Sequence, residues 1–452
     1  MALRHFLACL LSLAAVGLTR IALDAAPAAD TPSFLYTIAP RYEPLAWMRG
    51  DDRFPSGAMI FLRDGNGGRR LVPDFAASAD PSVSFDGLRV LFAGKLKPQD
   101  TWQIWEIALA GGAPRRITSC VEDCVRPFYL PEDRAVYARK SGGRFIVEAA
   151  PIAGGKGLSL TYGPGNFVPT DVLRDGRILF EAAFPFGADG TPEIYTVYSD
   201  GSGVESYRCD HGKARHQGKQ VGSGDVVFVS GDAISRFTSA KAQEVPVSTP
   251  AGEYAGEIAE TASGDWLLPW RADARTAFQL MRWTAGAADL RLVVSEPNAN
   301  VIQPTLVAGR PVPNRHPSGL HDWTNANLLC LNAYTSKYQF IAGSIHSVRL
   351  YTRDDAGSAK LLGTAPVERD GSFFVQVPGD QPLQIELLDA SGRTLKRESG
   401  FFWMRRGEQR GCVGCHAGPE TAPENAVPMI LLKSTTPADM TGASTHATSG
   451  GH

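Results

Sequence analysis

Residues 405–430 read RRGEQRGCVGCHAGPETAPENAVPMI, and within them Cys412, Cys415 and His416 carry the most specific chemistry in the chain. Two thiols two residues apart, with an imidazole directly after the second, suit four roles: porphyrin attachment, zinc binding, disulfide exchange, or none. With 7 cysteines and 9 histidines in 452 residues, chance supplies a Cys-x-x-Cys-His roughly 0.002 times per chain, so accident is a poor explanation. A structural zinc wants four ligands, commonly from two such pairs, and there is no second Cys-x-x-Cys. A thioredoxin-like centre wants a βαβ setting, whereas strand-rich sequence precedes this motif and a proline-rich stretch follows it. The motif therefore predicts one covalently attached haem c. Each thiol adds to one porphyrin vinyl group, and His416 reaches the iron from the proximal side.

Arg405, Arg406 and Arg410 offer fork-shaped donors to the haem propionates, each with a solvated basic loop as its alternative. Met429, thirteen residues past His416, is the nearest soft ligand for the sixth coordination position. Its alternatives are a Met packed in the β domain, a histidine from elsewhere, and an open site. A second cluster lies in YRCDHGKARHQG, residues 207–218, where Asp210, His211 and His216 stand near Cys209. Carboxylate and imidazole donors converging there suit a second metal such as zinc, a substrate funnel, or ordinary polar loop chemistry. Cys120 and Cys124 can pair locally in an oxidising compartment, and Cys330, in LLCLNAY, reads as a small buried apolar residue.

The elements that must position these groups are β-rich. Gly 47 and Pro 31 imply many turns. A polar turn followed by short strand-like runs recurs, as in SFDGLRVLFAG at 84–94, LPEDRAVYARK at 130–140 and LRDGRILFEAAF at 173–184. Fainter copies are GSGDVVFVSG at 222–231 and ASGDWLLPWRA at 262–272. Anchored on Gly87, Asp133, Gly176, Gly224 and Gly264, the steps are 46, 43, 48 and 40 residues. Such periods mark propeller blades, each unable to bury both its faces alone. The expectation is all-β: a six-bladed β-propeller over 40–315, with seven blades or a series of β-sandwiches as alternatives. A small antiparallel β domain over 325–400 and a haem-binding segment over 401–432 follow. The Ser/Thr/Gly/Ala-rich residues 433–452 read as a disordered tail.

Net charge is −2, which excludes the strongly basic surface of a nucleic-acid binder. Residues 1–29 read as an export signal, with Arg4, an apolar run from Phe6 to Leu18 and small residues at 25–29. The run is too short to span a bilayer, although an uncleaved anchor is the alternative. The mature chain is thus expected in the periplasm or otherwise exported, with no membrane span after signal removal. That location agrees with c-type haem, which is attached outside the cytoplasm.

The stretch DPSVSFDGLRVLFAGK with QIWEIALAGGAPRRIT resembles the repeat of TolB-like periplasmic propellers. The order propeller, LLCLNAY, DGSFFVQVP, RRGEQRGCVGCH is similar to the hydrazine synthase alpha subunit-related family over nearly the whole mature chain. It is most specific at DCVRPFYLPEDR, LLCLNAYTS and the haem motif. The resemblance implies a six-bladed propeller, a middle β domain and a haem beside the propeller. In hydrazine synthase itself a zinc lies near the active haem, and that haem takes a tyrosine ligand. This sequence has one Cys-x-x-Cys-His where the subunit has two, and no tyrosine follows His416 closely. What carries over is architecture plus haem. The leading functional expectation is an exported monohaem c-type cytochrome-like protein exchanging electrons with a redox partner protein. The rivals are a haem enzyme acting on a small nitrogen or oxygen compound, and a TolB-like binding or scaffold protein with a structural haem.

Overall fold

The computed structural model describes residues 32–65, 67–185, 190–208, 212–239, 242–354, 357–415 and 425–442. The export signal expected over 1–29 lies outside the described residues. Between Phe34 and Leu306 six antiparallel sheets follow one another. Their innermost strands are Ala77–Val83, Cys124–Leu130, Asn166–Val172, Arg215–Gln220, Ala259–Glu260 and Asn300–Leu306; successive ones are neighbours, except that the sheets of Arg215–Gln220 and Ala259–Glu260 meet through Ala233–Phe237 and Glu253–Tyr254. The last of them joins the first strand of the chain, Phe34–Ala39, with Phe34 opposite Leu306. That pairing closes a ring of six blades, numbered here from the sheet that contains Phe34. The second strand of a blade is buried on both faces by its neighbours, so it carries a continuous apolar run rather than an alternating one. Val90 to Ala93 in blade 2 and Ile178 to Ala183 in blade 4 are fully covered, each large side chain contributing about 1.5–3 kcal/mol.

The repeated anchors are one turn, seen five times between the first and second strands of blades 2 to 6. Gly87, Gly176, Gly224 and Gly264 take left-handed φ there, and Asp133 does so in blade 3. A second repeat is invisible in the sequence. Asp80, Arg126, Gln217 and Gln303 sit where the register of an innermost strand slips. With Glu257 they take φ of 53 to 58°, at a cost of roughly 1–2 kcal/mol per non-glycine residue. Polar contacts along the axis offset this. Arg53, from the loop after the first strand, donates to Asp80 at 2.5 Å, and Gln303 Nε2 donates to the same carboxylate at 2.6 Å. The Arg126 guanidinium lies 3.7 Å from Glu181 and 3.8 Å from Glu257.

His216 belongs to this axial layer. Burial pushes its imidazole down to about 4, and the neighbouring Arg126 adds to the effect. An unfolded histidine titrates near 6.5, so between pH 6.5 and 4 the unfolded chain binds a proton that the folded chain does not. Stability should therefore fall as pH drops through that window, by up to about 3 kcal/mol from this group. Urea midpoints at pH 7 and pH 4.5 should diverge less in His216→Gln than in the wild type. Parallel losses in the two proteins would assign the acid sensitivity to other groups.

Beyond the propeller, two four-stranded sheets share one core that includes Val348, Leu350, Val375, Val377 and Leu387. One runs Ala359–Pro366, Ser347–Arg353, Leu383–Leu388, Thr394–Arg397, antiparallel throughout. The other places Asn325–Cys330 between Phe373–Pro378 and Gln409–Cys412, with Ala438–Asp439 at its edge. The second sheet is mixed rather than purely antiparallel. Gln409–Cys412 and Ala438–Asp439 join it in parallel, after the long connections that parallel pairing requires. The tail expected from residue 433 is correspondingly part of the fold as far as Met440, which is 1% exposed in the core.

Residues 401–410, FFWMRRGEQR, form the seam between the β domain and the propeller. Trp403 is 0% exposed, lies 5.6 Å from the Phe167 ring and 6.1 Å from the Phe180 ring, and donates from Nε1 to the Leu160 carbonyl at 3.1 Å. Glu408 accepts from the Gly203 and Arg405 amides at 3.1 and 2.7 Å.

Candidate functional site

Alternation along neighbouring strands builds the site. Asn325–Cys330 buries Ala326, Leu328 and Cys330. Its parallel partner places Arg410 beside Leu328 and Cys412 beside Cys330. Side chains two apart share a face, so Leu328, Cys330, Arg410 and Cys412 line one surface. A tight bend brings Cys415 back to the same surface. It needs a glycine between the cysteines, because a Cβ on Gly414 would lie 2.1 Å from the Thr335 carbonyl oxygen.

That surface forms one wall of a cavity of about 950 Å³, which Cys330, Cys412 and Cys415 all line. Phe373, Ile385, Leu387 and Phe402 make it apolar on the β-domain side. The remaining wall is blade 4, through Arg177, Tyr198 and Ser202 to Arg208, together with His316 from the connection between the two parts. That connection is strapped to the propeller. The Asn314 amide donates to the Arg174 carbonyl at 2.8 Å, and Arg315 pairs with Glu132 at 2.9 Å. The Asn314 carbonyl occupies the space a Cβ on Gly176 would need. His316 then stacks on Tyr198, with ring centroids 3.6 Å apart and planes within 15°. Burial raises the Cys412 thiol, which Arg410 pulls the other way, and raises Cys330 more strongly. Burial also raises Glu205 on the blade wall, against the pull of Arg177 at 2.8 Å.

Cys412 and Cys415, expected to bind the cofactor, are therefore brought together on the cavity, while His416 lies outside the described residues. Of the three arginines expected at the propionates, Arg410 reaches the wall. Its donors, however, go to Glu408 at 2.6 Å and to the Val204 and Trp403 carbonyls at 3.2 and 3.1 Å. Arg405 and Arg406 do not line the cavity. Arg405 binds Asp380 at 2.5 Å, the Tyr162 hydroxyl and the Asp200 carbonyl, and the largely exposed Arg406 shares Asp380. Asp380, half-buried at the seam, holds both instead. The cations left without a hydrogen-bond acceptor or carboxylate on the wall, among the described residues, are Lys337 and Lys396. The Lys396 ammonium lies 4.1 Å above the Tyr338 ring.

Met429 is also displaced from its expected place. It opens the short helix Met429–Lys433, its amide donates to Asp370 at 2.7 Å, and its side chain does not line the cavity. His216 is held in the propeller axis. Asp210 and His211 lie outside the described residues, so the expected second metal is untouched by the geometry there. Among the described residues no group of three His, Cys, Asp or Glu side chains has the spacing of a metal site. The wall residue that motif reading passed over is His316, the one histidine among the described residues of the cavity wall. Its only sequence signal is a histidine bracketed by prolines, PNRHPSG, at a domain junction.

The donor set fits a haem. Two thiols open on a cavity at the upper end of the roughly 300–1,000 Å³ usual for cofactors, with an apolar wall on the β-domain side and two ammonium groups without a carboxylate partner.

Residues 339–417 match the family model of the hydrazine synthase alpha subunit middle domain. Hydrazine synthase subunit alpha of Kuenenia stuttgartiensis is 36% identical over 77 residues, which are 17% of this chain and 10% of that protein. The matched stretch thus spans a tenth of that curated relative. The solved hydrazine synthase of Kuenenia stuttgartiensis superposes with a TM-score of 0.76 at 18% identity, covering 89% of this chain and 71% of that one. TolB of Acinetobacter baumannii aligns with a TM-score of 0.45 at 11% identity, over 60% of this chain and 66% of that one. Residues 339–417 thus carry a hydrazine synthase alpha subunit middle domain, and over most of its length the chain shares the fold of hydrazine synthase.

Proposed function

We propose that the chain is an exported c-type haem protein that holds one haem through Cys412, Cys415 and His416 and exchanges electrons with a protein partner. The observation that carries this reading is that both thiols of the Cys-x-x-Cys-His motif open on the cavity between blade 4 and the β domain. When bound, the haem supplies one-electron redox chemistry. The chain's own residues do the rest. Leu328, Phe373, Ile385 and Phe402 exclude water, Lys337 and Lys396 receive carboxylates, and His316 offers an imidazole from the wall facing the thiols. Export is supported by the short apolar run at 6–18 and by the Cys120–Cys124 disulfide, a bond that persists in oxidising compartments. The rival reading, a haem enzyme acting on a small nitrogen or oxygen compound, is favoured by the titratable groups Glu205, Tyr198 and His316 on that facing wall.

Protein matured in a host with haem-attachment machinery should carry one haem that survives acid–acetone extraction. A colourless product from such a host would sink the proposal. His316 then separates the two readings. An electron carrier should be six-coordinate and slow to take up carbon monoxide, and His316→Ala should make it bind carbon monoxide readily. A wild type that already binds carbon monoxide, unchanged by His316→Ala, would favour the enzyme.

A further inference from the structure

The site contains a thiol that haem attachment does not use. Cys330 lies directly across from Cys412 on adjacent parallel strands, and the Leu331 amide donates to the Cys412 carbonyl at 2.8 Å, fixing that register. Both side chains face the same cavity, and Cys412 and Cys415 pack against the core that contains Cys330. Neighbouring strands are about 4.7–4.9 Å apart, inside the roughly 4.4–6.8 Å between Cα atoms that a disulfide spans. Cys415, by contrast, stands beyond the end of the strand. The bond between Cys120 and Cys124 calls for an oxidant of the same kind.

We propose that Cys330 is a redox modification site, closing a disulfide with Cys412 in the chain that has not yet taken up haem. Two thiols and one donor disulfide, protein or small molecule, give the Cys330–Cys412 bond and two donor thiols, with two electrons and two protons passing to the donor. A dithiol reverses the exchange and returns Cys412 to the thiol that can add to a vinyl group. Because both cysteines line the cavity, the bond is open to a dithiol, and accessible disulfides are the readily reduced ones. Cys330 then guards the first attachment thiol until reductant arrives. The disulfide itself is independent of the proposed function; only its consequence for haem loading rests on that reading.

The test uses the full exported chain from a host without haem-attachment machinery, treated with oxidised glutathione. Free thiols are alkylated under denaturing conditions before non-reducing peptide mapping. A Cys330–Cys412 linked peptide with Cys415 alkylated is expected, and the link should disappear in Cys330→Ala and Cys330→Ser. A Cys412–Cys415 or Cys330–Cys415 linked peptide, or alkylation of all three, would overturn the assignment. The map is read on haem-free protein, so its outcome stands whether or not the wild type loads haem elsewhere. In a loading host, either Cys330 variant should remove the dependence of haem yield on added dithiol. A dependence equal to that of the wild type would overturn the guarding role.

Discussion

Replacing both Cys412 and Cys415 with alanine should take covalent haem from one per chain to none. Both side chains are partly buried at the edge of the β-domain core, so truncating them removes little packing while abolishing both sites of thioether formation. Each single variant should keep one thioether, with a shifted spectrum and lower yield. Pyridine haemochrome spectra after acid–acetone extraction read the outcome, and a urea midpoint close to that of the wild type confirms that the fold survives. Covalent haem persisting in the double variant would place attachment elsewhere, with Cys330 the remaining thiol on that wall.

Trp403→Ala should have the largest effect on stability. The ring is fully buried among Phe167, Phe180 and Tyr162 of the propeller although it belongs to the segment that leads into the attachment strand. Truncating a buried aromatic of this size costs about 3–5 kcal/mol, and the hydrogen bond to the Leu160 carbonyl is lost with it. Because the ring crosses the seam, the loss should also uncouple the two parts, splitting one urea transition into two. Trp403→Phe keeps most of the packing and should cost less, with the missing hydrogen bond worth about 1 kcal/mol. A single transition within about 1 kcal/mol of the wild type in Trp403→Ala would mean that other contacts hold the seam.

What could be read in the sequence was local. The Asp-Gly turns at Gly87 and Gly176 announced themselves because a left-handed turn constrains its own residues. Continuous apolar runs such as Val90 to Ala93 showed buried strands for the same reason. The slips at Asp80 and Gln303 could not be read, since a bulge exists only relative to a partner strand. The site divides in the same way. Cys412 and Cys415 were legible because two residues of spacing fix their chemistry. Arg405 and Met429 were misplaced because nearness in sequence does not disclose a competing acceptor, and Asp380 and Asp370 come from turns on either side of the strand Phe373–Pro378. His316 reaches the cavity only because its connection is pinned along blades 3 and 4, and Cys330 faces Cys412 only through a parallel pairing of distant segments.

The closure of the propeller has a consequence for the order in which the molecule can be made. Asn300 donates to the Ala39 carbonyl across 261 residues of chain, so the first strand must wait, with one edge bare, until nearly the whole ring has been synthesised. Pairings this remote are slow to form, and an exposed edge invites association with other chains. Blade 4 needs no such wait, since all of its strands lie within residues 166–206. It can stand complete before the cysteines, about a hundred residues past the closing strand, leave the ribosome. The wall that faces the thiols is therefore finished first, and the strand carrying Cys412 arrives at a surface already in place.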